Sequence, residues 1–109
     1  MKMYKISDRQ HGKTLKETGY SESYVYIYRA VPSDITSIKY MDYVTRSRKW
    51  AKEHAEHMAV THEESQVVLS VFVRSDLVAE AYNPGEYFYI GKEPVMGRVV
   101  ERVEWNEDI

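Results

Sequence analysis

The chain is predicted to fold as α+β: a compact, mainly antiparallel sheet of short strands with one main helix. Three observations predict this. Six or seven short stretches carry the β-branched and aromatic content of strands. Only the interval around Tyr43–Ala55 shows a helical period. The remaining connections are too short for helical crossovers, so neighbouring strands should run antiparallel. With 109 residues, 43% of them hydrophobic, the chain suits one domain, residues 1–109, around one core.

Met3–Ile6 reads as a short first strand. Residues 7–22 are polar, with Gly12 and Gly19, and read as a mobile loop. Ser23–Ala30 is a strand whose alternation puts Tyr24, Tyr26 and Tyr28 on one face and Val25, Ile27 and Arg29 on the other. Arg29 thus continues an apolar face, which is costly for a charge unless it is paired or sits at a cleft mouth. Pro32 ends the strand, and Ser33–Met41 reads as a connector.

Tyr43–Thr45 reads as the end of a short strand, after which Thr45 or Ser47 can cap a helix. In that helix Trp50, Ala51, His54, Ala55 and Met58 form one stripe, and Arg48, Lys49, Lys52, Glu53 and Glu56 take the solvent side. The junction is either an ordinary capped helix or a place where an anion binds. Val60–Ser65 reads as a polar turn.

Gln66–Val73 is apolar on both faces apart from Ser70, the pattern of a central strand. A turn at Arg74–Leu77 leads to a strand at Val78–Tyr82, and Asn83-Pro84-Gly85 is a strong turn signal. The next strand, Glu86–Ile90, separates Glu86, Phe88 and Ile90 from Tyr87 and Tyr89, so Glu86 opens an apolar face as Arg29 closes one. Gly91–Gly97 reads as a loop and Arg98–Glu104 as the last strand. Residues 105–109 read as a frayed tail apart from Trp105.

There is no cysteine, which excludes a disulfide framework and a thiolate metal site. No stretch has the apolar length of a membrane span or a signal peptide, so a cytoplasmic protein without membrane contact is expected. Residues 1–52 hold eleven Lys/Arg and five Asp/Glu, net +6; residues 53–109 hold four and twelve, net −8. A dedicated nucleic-acid binder would be basic overall. Ten tyrosines against two phenylalanines suit a half-buried sheet face or an interface.

Arg29, the hydroxyls Thr45 and Ser47, and Glu86 follow in the order arginine, hydroxyl, carboxylate. The segments that hold them read YRAVP at 28–32, VTRSRKWAKEHA at 44–55, VVLSVFVRSDL at 67–77 and NPGEYFYI at 83–90. In order and spacing the chain resembles the small ADP-ribosyltransferase-like domains of bacteria and bacteriophages. The likeness covers most of residues 23–91. It implies an ADP-ribosyltransferase-like fold, a bacteriophage or mobile-element origin, NAD as substrate, and transfer of ADP-ribose to a macromolecular, protein target. On it Glu86 is the catalytic glutamate, Arg29 grips a phosphate or holds the nicotinamide-ribose pocket, and Thr45 and Ser47 floor that pocket. Tyr43 or Trp50 could stack on nicotinamide, but the helical spacing of Trp50 favours a place in the core. Arginine-directed members carry a second acid two positions before the glutamate; here that position is Pro84, which points away from an arginine acceptor. The alternative is a catalytically silent protein of the same fold that inhibits a host or defence complex, as anti-CRISPR proteins do, through its tyrosine face or charged halves.

Other constellations are weaker. His54 and His57, one helical turn apart, could share a metal with Glu53, but no H-E-x-x-H order is present, and no metal site is expected. The run Arg46, Arg48, Lys49, Lys52 suits a solvated helix face, pyrophosphate or nucleic-acid phosphate.

Overall fold

A computed structural model describes residues 11–106. The expected strand at Met3–Ile6 and the end of the tail lie outside the described residues. The elements run β1 (Tyr24–Pro32), β2 (Ser37–Ile38), β3 (Tyr43–Val44), α1 (Arg48–His62), β4 (Gln66–Arg74), β5 (Val78–Glu80), β6 (Tyr87–Tyr89), β7 (Val95–Met96) and β8 (Arg98–Val103). Among the described residues every strand pair is antiparallel. The α+β class and the single main helix are therefore as the sequence predicts.

β4 is the middle strand of the sheet β1-β4-β8. It is buried on both faces from Gln66 to Val71, which is why it carries no solvent-facing alternation. Val25, Ile27 and Val31 of β1 join Val67, Leu69, Val71 and Val73 of β4 in the main core. The opposite face takes α1 through Ala51 and Ala55, which pack with Val68, Tyr28, Ala30, Val100 and Val103. These alanines, with Ala59, are the buried residues of the helix. The expected stripe is thus turned: small residues bring the helix close to the sheet, Met58 is half-buried, and Trp50 and His54 stand at its exposed edge. Trp50 is 48% exposed, which corrects its expected place in the core.

Several boundaries also move. The helix continues through Val60–His62, where no residue breaks it. It stops at Glu63, which adopts left-handed backbone (φ 51°), while the Glu63 and Glu64 amides both donate to the Ala59 carbonyl. The strands expected at Val78–Tyr82, Glu86–Ile90 and Arg98–Glu104 are shorter, ending at Glu80, spanning Tyr87–Tyr89, and ending at Val103. β2 and β7 pair with each other inside the segments expected as a connector and a loop. Two residues show no period, so only the burial of Ile38 marks this pairing.

β5 and β3 flank β6 in the second three-stranded sheet. Residues 11–22, the described part of the expected mobile loop, dock against its far edge. Thr14 bridges Ala79, and the Gly12 and Leu15 amides donate to the Glu80 and Val78 carbonyls at 2.7 and 2.8 Å. Leu15 is buried in the main core. Trp105 is tied down by its amide, which donates to Ser65 Oγ at 2.9 Å.

Candidate functional site

The two three-stranded sheets meet at one point. The Tyr28 and Thr45 amides donate to each other's carbonyls at 2.8 and 2.9 Å. A continuing antiparallel ladder would next offer the Tyr43 carbonyl to Ala30. That carbonyl instead accepts from Arg29 Nη1 at 2.8 Å. The guanidinium occupies the place of the next rung, and β1 and β3 part around it.

A cleft of about 460 Å³ opens where they part. This size falls within the range of small-molecule sites. Arg29, Ala30 and Pro32 of β1, Tyr43 to Thr45, Trp50, Ala51, His54 and Met58 of α1, and Asn83 and Glu86 line it. Four of the five residues singled out in the sequence, Arg29, Tyr43, Thr45 and Glu86, therefore share one cavity. Ser47 does not line it. Its hydroxyl accepts from the Trp50 amide at 3.0 Å and caps α1, a bond that contributes on the order of 1 kcal/mol.

Each lining group is held from behind. Arg29 is half-buried and faces Asp42 at 3.7 Å (Nε to Oδ2). Asp42 is itself placed by the Lys39 amide, which donates to Oδ2 at 2.8 Å. The turn that delivers Asp42 puts Met41 in left-handed backbone (φ 70°), and the Met41 amide donates to the Tyr89 carbonyl at 2.7 Å. Only tertiary bonding of this kind sustains positive φ in a residue with a long side chain.

Thr45 is buried, and its Oγ1 accepts from the Ser47 amide at 3.1 Å. A hydroxyl that accepts still holds its own proton for donation, and Thr45 lines the cleft. Tyr43 packs its ring on Phe88, centroids 4.7 Å apart.

Glu86 follows the Asn83-Pro84-Gly85 turn, one residue before β6. Gly85 has φ 85°, Pro84 precedes it, and the Glu86 amide donates to the Asn83 carbonyl at 3.1 Å, the signature of a type II turn. Asn83 Nδ2 also donates to Glu86 Oε1 at 3.1 Å. The turn thus aims one carboxylate at the cleft while the same asparagine fixes its plane.

The sequence reading missed His54 as a cleft residue. Its ring lies parallel to that of Trp50 (5.6 Å, 5°) and forms one wall. Its pKa is lowered from 6.5, first by partial burial, then by His57 and Arg29, against an upward pull from Glu86. Arg29 and Glu86 thus both act on this ring. The residue as a whole stays exposed, which keeps the effect small. A histidine that resists protonation in the folded state costs stability on acidification: the unfolded chain binds the proton first, so stability falls as pH drops through about 6.5 and levels off below the folded-state pKa. His54→Asn is expected to flatten part of this slope in a melting-temperature profile from neutral to acidic pH; a superimposable profile would contradict the assignment.

Among the described residues no cluster of His, Asp and Glu is arranged to hold a metal ion. None of their helices is long and apolar enough to cross a membrane. No known family model, curated protein or solved structure matches the chain.

Proposed function

We propose that the cleft binds NAD and that the protein is an ADP-ribosyltransferase-like enzyme acting on a macromolecular target. The observation that carries this reading is the convergence of Arg29, Thr45, Tyr43 and Glu86 on one cavity at the parting of two sheets. Distant in sequence, they supply what cleavage of a nicotinamide–ribose bond requires.

Arg29, held by Asp42 and the Tyr43 carbonyl, is a fixed cation for a phosphate or the ribose side of the pocket. Trp50 and Ala51 bring the first turn of α1 to the cleft wall, where the positive end of the helix dipole favours an anion. The Tyr43 and Trp50 rings offer stacking surfaces for nicotinamide. Thr45 donates a proton from the pocket floor.

In the reaction the bond between the ribose anomeric carbon and the pyridinium nitrogen breaks. Its electron pair leaves with nicotinamide, which becomes neutral, and positive charge develops on the sugar as in glycoside hydrolysis. The Glu86 carboxylate, accepting from the ribose 2′-hydroxyl, tightens its hold as that charge grows. The acceptor's nucleophile then bonds to the anomeric carbon and its proton passes to solvent. The test is incubation of the pure chain with NAD while nicotinamide is measured. Release above the uncatalysed rate supports the reading; NAD left intact under all conditions, with and without protein acceptors, removes it.

A second reading, a silent binding protein that inhibits a host or defence complex, draws on a different observation, the aromatic face left open on the β1-β4-β8 sheet.

A further inference from the structure

Helix α1 covers only part of its sheet face. The registers Tyr24↔Arg74 and Tyr26↔Phe72 continue that face beyond the rows it covers. Tyr24, Tyr26 and Phe72 are 49%, 55% and 56% exposed, and Met96 beside them is 72% exposed. The rings form a row: Phe72 lies 5.4 Å from Tyr24 and 4.4 Å from Tyr26, centroid to centroid. Two depressions flank it. One, of about 330 Å³, is lined by Tyr26, Phe72, Met96 and Arg98. The other, of about 240 Å³, is lined by Lys16, Tyr20, Tyr24 and Arg74. An apolar patch of this composition, rimmed by polar groups, is the anatomy of a recognition surface.

Its rim is basic. The Lys16 and Arg98 side chains have no ion-pair partner among the described residues. Arg46 lies over the Tyr20 ring at 4.7 Å. Arg74 is neutralised by Asp76, and Glu22 is the one further acid lining these depressions. Among the residues that line the depressions, two cations against one acid remain, with Arg46 beside them on Tyr20.

We propose that this face binds a protein whose contact surface is acidic and carries apolar side chains among its acids. The charge of the rim selects the sign of the partner. The charge of the whole chain selects its class. A dedicated nucleic-acid binder is basic overall, whereas this chain carries a net charge of −2 and only the rim of this face is basic. Exposed tyrosine, phenylalanine and methionine side chains are the residue types enriched where proteins meet. A second copy of this chain is disfavoured, because a two-fold contact would set the same basic rim against itself.

The surface is independent of the chemistry proposed for the cleft. The test is selection of a displayed library of random short peptides on the immobilised wild-type chain, with the Tyr26→Ser/Phe72→Ser double variant as the counter-selection surface. Peptides carrying net negative charge and apolar residues are expected. A labelled synthetic peptide of the enriched type should bind the double variant about thirtyfold more weakly, the scale of losing an interface anchor. Arg98→Glu should weaken the same peptide and leave the melting temperature in place. Nicotinamide release should be unchanged in both, which separates this proposal from the reading of the cleft. No enrichment, enrichment without acidic bias, or equal retention by the double variant would overturn it. So would binding of oligo(dT) through the same rings, which would make the face a nucleic-acid surface, or a dimer that the double variant dissolves.

Discussion

Glu86→Gln is expected to lower nicotinamide release from NAD on the order of 10²–10³-fold, the cost of losing one preorganised group matched to transition-state charge. The amide keeps the shape of the carboxylate and an oxygen for the Asn83 side chain, whose bond to Glu86 spans 3.1 Å. Folding should be unaffected, because Glu86 sits in a turn rather than in the core. NAD binding should survive better than turnover, since the carboxylate acts chiefly as charge develops, so the loss should fall on kcat more than on KM. Steady-state assay of nicotinamide, with the melting temperature as the folding control, reads all three. Unchanged kcat in a folded variant would remove Glu86 from the mechanism.

Phe88→Ala is expected to have the largest effect on stability, about 3–5 kcal/mol. Phe88 is fully buried in the middle strand of the second sheet, opposite Tyr43 on one side and Ala79 on the other. Its ring meets Tyr43 at 4.7 Å and Tyr82 edge-on at 5.8 Å. Removing it leaves a cavity between β3 and β5 and takes the support from a ring that lines the cleft. Denaturant unfolding should show a lower midpoint with little change in slope. Phe88→Leu, which keeps most of the volume, should recover much of the loss. A midpoint shift within error for Phe88→Ala would show that the second sheet does not depend on this packing.

The two predictions rest on features of different legibility. Arg29 was visible because a charge interrupts an apolar face whose other members, Val25, Ile27 and Val31, are buried. Glu86 was visible because a Pro-Gly turn delivers it. Ser47 was visible as a helix cap, and that single hydroxyl is used as one. The partners of Arg29 were not visible. Asp42 falls between the expected connector and the strand at Tyr43, and its position depends on left-handed backbone at Met41, which no local residue preference signals. Trp50 and His54 satisfied the period of a core stripe, yet an alanine stripe one step round the helix lies closer to the sheet and displaces them to the cleft wall. Segment 11–22 looked unstructured because its order comes from backbone bonds to β5 and from one buried leucine. Periodicity reports burial along one element; it does not report where two sheets part.

The cleft as an NAD site is tested most directly by the melting temperature of the wild-type chain and of Arg29→Ala across a series of NAD concentrations. A ligand held by the folded state alone stabilises it by about 2.7 kcal/mol at a hundred times its Kd. The wild-type midpoint is expected to climb with the logarithm of NAD concentration, and that of Arg29→Ala to stay flat over the same range. A flat wild-type curve, or an equal climb in the variant, would contradict NAD binding at the parting of the two sheets.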